Sequence, residues 1–408
     1  MGNFFSLSLL QTANYIFPLI TLPYLVRILG VEKFGLVAFA QAFIQYFIVL
    51  TDYGFQLSAT REVSVNRNDK KKLSEIFSSV TVIKLLFMLL SFVILCLVVF
   101  FIPKFRQDWI IYLFAFGMVF DSVLFPVWLF QGMEEMHYIT ARNITAKFIF
   151  TLAIFVFIRN QNDYIYVPLI NSLGFIVAGL ISLRLVFTQF KITFVFPSPA
   201  QISSQLKDGW HIFISKIAIN LYTTTTTFVL GLVTNNTVVG YYAAGEKIVR
   251  TVITMFNPVF QAAYPHFAKS AAESKELTVK KLKKILKLTS IVSLPLFLVF
   301  FFFATPIVRI LLGANFANSV LVVRILSPLL FIIPAAYIFA NLGLLPFKLD
   351  KYFARIYIGG ALINLFLLIC LLSIFNLEAK GAAISSLITE IFLTVILFLI
   401  VNNKTKNG

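Results

Sequence analysis

Apolar runs long enough to cross a bilayer recur along the whole chain, at about 4–29, 35–57, 76–102, 108–130, 138–158, 164–187, 208–233, 237–266, 285–312, 319–345, 354–376 and 381–402. Runs of this length with no broad polar face read as membrane helices rather than as the helices of a soluble core. The pattern therefore predicts twelve spans joined by short polar turns. The stretch from Phe17 to Glu62 shows how they are built. Its first run carries Arg27 near the end, and its second carries Gln41, Gln45, Asp52 and Gln56. At 100° per residue these four fall within an arc of about 60°, a narrow polar stripe on an otherwise apolar helix. Lipid offers such side chains no partners, so the stripe is predicted to face protein or a hydrated cavity.

The stripe returns later in the chain. A shift of 205 residues lays Gly35 on Gly240, Gln41 on Glu246, Gln45 on Arg250, Asp52 on Asn257 and Gln56 on Gln261. Four matches along one face, with a matching glycine at the turn, point to a duplication. Copies of six spans each would enter the membrane in the same direction, related by an axis along its normal, with a site between them. The expected fold is all-α and polytopic, with about twelve transmembrane helices in two pseudo-symmetric six-helix lobes at 1–187 and 208–408. A cytoplasmic linker at 188–207 is marked by two prolines and a serine pair. Span 7 carries Lys216, Asn220, Thr223 and Thr227 on one face. Its threonines suit helix packing as well as cavity lining, and Lys216 favours the cavity.

Composition narrows the class. The 408 residues are 59% hydrophobic and 12% charged, with mean hydropathy +0.91, against about 45–50% and about 25% in soluble proteins. A soluble globular chain is thereby excluded. Cys96 and Cys370 lie inside apolar runs, and His137, His211 and His266 are scattered, so neither a disulfide framework nor a metal site is legible. No basic region precedes the first run, which is read as a span and not as a cleaved signal.

A net charge of +17 would suggest nucleic acid in a soluble protein. Here the basic residues crowd alternate loops: 61–72, Arg142, 184–207, 269–287, 348–355 and 404–406. The other loops hold Lys33, Lys104, Arg106, Arg159 and Lys380. The positive-inside rule then puts both termini in the cytoplasm. The segment KKLKKILKL at 280–288 is expected to lie on the anionic inner leaflet. No outer loop is long enough to form a catalytic domain, which argues against a membrane enzyme.

Charges inside spans are costly and mark function by default. The basic ones are Arg27, Lys84, Lys147, Lys216, Lys247, Arg250, Arg309 and Arg324; the acidic ones are Asp52, Asp121, Glu246 and Glu390. Arg309 and Arg324 sit near span ends and can snorkel. Glu246 and Arg250, four residues apart, can also form a purely structural pair. The basic excess suits an anion such as phosphate or pyrophosphate. The expected anion-binding residues are Arg27, Lys84, Lys147, Lys216 and Arg250. Asp52, Asp121, Glu246 and Glu390 are the candidates to carry a coupling proton or sodium ion. Gln41, Gln45, Asn220, Asn257 and Gln261 complete the polar lining. No other cofactor is expected. Prolines within spans, among them Pro126, Pro258, Pro295 and Pro334, are candidate hinges.

Two segments carry a family resemblance. One comprises LPYLVRILG (22–30), Phe34-Gly35, Asp52-Tyr53-Gly54-Phe55 and Thr60-Arg61-Glu62; the other is PVWLFQGMEEM (126–136). Together they resemble the Wzx-type O-antigen flippases, in the polysaccharide-transport branch of the multidrug/oligosaccharidyl-lipid/polysaccharide (MOP) exporter superfamily. The resemblance implies a V-shaped, MATE-like fold in a bacterial inner membrane. It also implies transfer of an undecaprenyl-pyrophosphate-linked O-antigen or related repeat unit from the cytoplasmic to the periplasmic leaflet. Alternating access, an ion gradient, membrane lipids, and a polymerase and chain-length regulator as partners belong to the same expectation. Arg27 matches the family's motif arginine; the other basic residues rest on depth and stripe alone. The competing reading is a MATE-like drug or cation antiporter, which the basic excess disfavours.

Overall fold

The computed structural model describes residues 2–347 and 349–406. Side chains of residues 2–16 and of scattered later positions lie outside the description, including those of Thr223, Lys351, Lys404 and Lys406; Lys348 lies outside it altogether. All described regular structure is helical, as lipid demands of a backbone that must satisfy its own polar groups. Cα packing divides the chain into two compact units: residues 1–17 with 39–220, and 18–38 with 221–408. Neither unit follows the expected lobe boundaries, because the first two spans and span 7 each pass from one unit to the other.

In the first unit, α1 (Gly2–Asp52) leads to α2 (Phe55–Val65), α3 (Lys70–Phe101), the short α4 (Pro103–Arg106), α5 (Trp109–Leu124) and α6 (Val127–Gly132). Then come α7 (Met136–Phe157), α8 (Tyr166–Thr188) and α9 (Pro199–Thr223). Asp69 caps α3, accepting from the Lys72 amide at 3.0 Å, as an N-terminal carboxylate should. Rings of Phe39, Phe43, Phe105 and Tyr112 pack edge-on and tilted, with centroids 4.9–6.3 Å apart. The later part of the first resemblance segment, with the residues just after it, packs on the second. The Thr60 hydroxyl donates to the Trp128 carbonyl (3.1 Å), and a Cβ on Gly132 would stand 2.5 Å from Val63. Arg67 donates to the Gly132 carbonyl (2.6 Å) and to Glu134 (2.7 Å). The expected linker is free of regular structure only to Ser198, after which α9 begins. Its Thr193 and Val195 amides donate to the hydroxyls of Ser74 and Ser78 on α3, at 3.1 and 2.9 Å.

The second unit contains α10 (Thr225–Val233), α11 (Asn236–Thr254), α12 (Asn257–Glu273), α13 (Lys275–Phe302), α14 (Ala304–Leu311), α15 (Ser319–Leu326) and α16 (Leu329–Tyr337). A π-helical turn at Ile338–Leu344 precedes α17 (Asp350–Ser373) and α18 (Glu378–Lys406). Here α1 bends at Gly30 (φ 70°) and crosses α11 at very close range. A Cβ on Gly35 would stand 1.8 Å from the Asn236 carbonyl oxygen, and one on Gly240 would stand 2.1 Å from that of Val31. The 205-residue shift exchanges Val31 with Asn236 and Gly35 with Gly240. The contact is thus reciprocal, the signature of a two-fold relation and independent support for the register.

Nine stretches among the described residues are long and apolar enough to cross a membrane, the first of them Leu19–Val65 at 47 residues. The expected spans 208–233 and 237–266 are not among the nine. Each is broken, at Thr224 and at Met255–Phe256, and their charged and hydroxyl side chains lower the hydropathy. The basic segment 280–288 also departs from expectation. It belongs to the unbroken helix α13, so its lysines extend a span and do not form a separate in-plane helix.

Candidate functional site

Asp52 ends α1. Tyr53 (φ 44°) and Gly54 (φ 83°) turn the backbone left-handed there, a conformation that readily stops a helix. The Tyr53 ring stacks on Phe213 with centroids 4.5 Å apart, and Gly209 lets the ring approach its backbone. The expected stripe therefore does not run straight through: Gln56 stands beyond the break, on α2. α3 brings Lys84 to Asp52 Oδ1 (3.1 Å) and to the Ser122 carbonyl (2.9 Å). α9 brings Lys216 to Asp52 Oδ2 and to Gln56 Oε1 (3.4 Å). One carboxylate thus joins two ammonium groups. Lys84 is 4% exposed and Lys216 25%, so the first is a buried clamp and the second its accessible partner. A buried ammonium needs such a counter-ion.

A second pair lies nearby. α5 ends before Phe125, which is extended ahead of Pro126 as a residue preceding proline prefers. This end of α5 presents Asp121 to Arg142 of α7. Arg142, expected in a cytoplasmic loop, is instead 8% exposed within the helix. Its guanidinium carbon lies 4.1 and 5.0 Å from the ring centroids of Phe125 and Phe175. Nη1 donates to Asn143 Oδ1 (2.9 Å), while Nε is buried without a partner. A cavity of about 330 Å³ separates the two ion pairs. Gln56, Gln131 and Asn143 line it with amides, and Phe125 and Trp128 with rings. No periodicity marks Arg142, Gln131 or Asn143. A helical register carried back from the apolar run after residue 146 would have placed Arg142 inside.

The other expected residues do not join this cavity. Gln41 and Gln45 are half-buried earlier on α1, Lys147 is half-buried on α7, and Asn220 is half-buried on α9. In the second unit, Arg27 is exposed and donates to the Ile310 carbonyl at the end of α14, where a cation complements the helix dipole. Glu246 accepts from Arg250 Nε at 3.3 Å. Asn257 opens α12, Gln261 is exposed upon it, and Glu390 is buried in α18. Sequence reading also missed a neutral cluster in that unit. Asn364 Nδ2 donates to Ser385 (3.2 Å) and Thr389 (3.3 Å), and Thr226 donates to Asn364 Oδ1 (3.3 Å), tying α10, α17 and α18 together.

Multiple apolar helices enclosing charge pairs define a multi-pass membrane protein, and its fold is one shared with solved transporters. An inward-facing MATE family multidrug transporter matches over 95% of this chain and 94% of its own, with TM-score 0.77 at 14% identity. The lipid II flippase MurJ, in an inward closed conformation, matches over 97% and 87%, with TM-score 0.74 at 14% identity. The chain belongs to the polysaccharide biosynthesis protein family, whose profile matches residues 1–271. Its relatives include a putative O-antigen transporter of Escherichia coli (strain K12), 31% identical over 402 residues and covering 98% of this chain and 96% of that one. A second, from Shigella dysenteriae, is 28% identical and covers 98% of both.

Proposed function

We propose that the protein is a flippase for lipid-linked repeat units of a surface polysaccharide. Near-full-length similarity to the putative O-antigen transporter of Escherichia coli carries this reading. In its specific form, the substrate is an undecaprenyl-pyrophosphate-linked oligosaccharide moved from the cytoplasmic to the periplasmic leaflet of the inner membrane. Both termini are cytoplasmic, and a polymerase and chain-length regulator act downstream. The fold likeness to MATE transporters, at 14% identity, does not favour drug export over this reading.

Asp52 with Lys84 and Lys216 supports a polar, ion-responsive site on the transport route. Coupling to a proton or sodium gradient is part of the proposal, with Asp52, Asp121, Glu246 and Glu390 as carriers to be tested by amide substitution. Deletion of the gene is expected to abolish surface polysaccharide and to leave repeat units on the cytoplasmic leaflet. Normal polymer in a strain lacking other flippases would refute the reading.

A further inference from the structure

The cavity between the two ion pairs differs from a phosphate site in its charge. Among its lining residues, Lys84 and Arg142 stand with Asp52 and Asp121, and each cation is already bound to a carboxylate, Asp52 being shared with Lys216 behind the wall. A phosphate site offers donors only and avoids carboxylates, which repel a dianion. Here donors and acceptors alternate around the wall. Asn143 uses its oxygen on Arg142, which leaves its amide donors without a partner among the described residues. The Gln131 side chain makes no hydrogen bond or ion pair to any described residue. Arg142 Nε, in a side chain more than nine-tenths buried, has no partner either. Such a group is costly to bury unless something satisfies it. The remaining wall is aromatic, from Phe125 and Trp128.

Amides that donate and accept, two carboxylates on the wall and an apolar ring side suit a polyhydroxylated ring. Each hydroxyl can donate to Asp121 and accept from Arg142 or an amide, while the ring's C–H face meets the aromatic side. We infer that this cavity is a saccharide pocket, which takes one uncharged sugar residue of the transported glycan, separately from wherever its pyrophosphate binds. The inference rests on the flippase reading and adds to it a second point of substrate recognition, one that reads the sugar and not the lipid carrier.

The test uses the full-length protein in nanodiscs and two probes: the free repeat-unit oligosaccharide cleaved from the organism's own polysaccharide, and inorganic pyrophosphate. Wild-type protein is expected to bind the oligosaccharide in saturation-transfer NMR and titration calorimetry. Gln131→Ala and Asn143→Asp are each expected to weaken that binding at least tenfold while melting within a few degrees of wild type. Gln131→Ala is the safer of the two, since that side chain holds nothing in place. Pyrophosphate is expected to leave oligosaccharide binding unchanged. The assignment is overturned if the wild type does not bind the oligosaccharide, if both variants bind it normally, or if pyrophosphate displaces it. Failure of the flippase reading is seen separately, as normal polymer in the deletion strain, which no result of the binding assay produces.

Discussion

Asp52 holds two cations of unequal burial, and removing each partner has a different cost. Asp52→Asn leaves the buried Lys84 ammonium facing only neutral oxygens, with no counter-charge. It is expected to lower stability by about 3 kcal/mol, as loss of one member of a buried pair does. Lys216→Gln removes a quarter-exposed partner and is expected to cost under about 1 kcal/mol. Thermal melts of purified protein would separate the two; equal effects would show that Lys84 is not the clamp. Arg142 depends on shape as well as charge. Arg142→Lys keeps the pair to Asp121 but cannot lie flat between Phe125 and Phe175. The same melts are expected to show a loss of about 1–2 kcal/mol.

At the scale of elements, the crossing of α1 and α11 is set by two glycines. Gly35→Val and Gly240→Val each drive a Cβ into a backbone carbonyl, which cannot move aside as a side chain can. Both are expected to abolish folded protein on fluorescence-detected size exclusion. Gly359, within α17, has nothing within 4 Å of its would-be Cβ. Gly359→Ala is expected to be neutral or to stabilise by up to about 1 kcal/mol. The loop after α6 has a different dependence. Glu134 is exposed, and its hydrogen bond and attraction to Arg67 hold its carboxyl below the ordinary value. A depressed acid contributes above its unfolded pKa and loses that contribution as pH falls through the folded one. Amide-exchange protection near Gly132 is therefore expected to decline below about pH 4, and Glu134→Gln should remove that dependence.

At the scale of the whole molecule, orientation follows from where the lysines lie. Once Cys96 and Cys370 are replaced, a cysteine at Lys283 is expected to label with an impermeant maleimide only after permeabilisation. One at Gln107 is expected to label in intact cells. The reverse pattern would invert the topology and, with it, the proposed direction of transport. Much of this scale was legible early, because bilayer thickness imposes a length on every apolar run and leaves helices as the way to satisfy the backbone. The duplication was legible too, through spacing alone, and the reciprocal crossing of Gly35 and Gly240 supports its register.

Spacing could not reveal the breaks. Tyr53–Gly54, Thr224 and Met255–Phe256 interrupt helices that hydropathy draws as continuous, since a stop depends on backbone angles and packing as well as on polarity. That is why the stripe through Asp52 bends and Gln56 stands on α2. Arg142 is a separate case: polar residues at 142, 143 and 145 precede the apolar run, so polarity points to a loop where the helix already runs from Met136. The sequence by itself determined the solvent, the class of fold, the repeat and the family, all of which follow from patterns local along the chain. Only the tertiary structure decided which charges meet. An ion pair is set by distance in space, and Asp52 lies 164 positions before Lys216 and Asp121 lies 21 before Arg142. What reads along the chain as a cationic excess folds, around this cavity, into cations each held by a carboxylate, Asp52 holding two and Asp121 one.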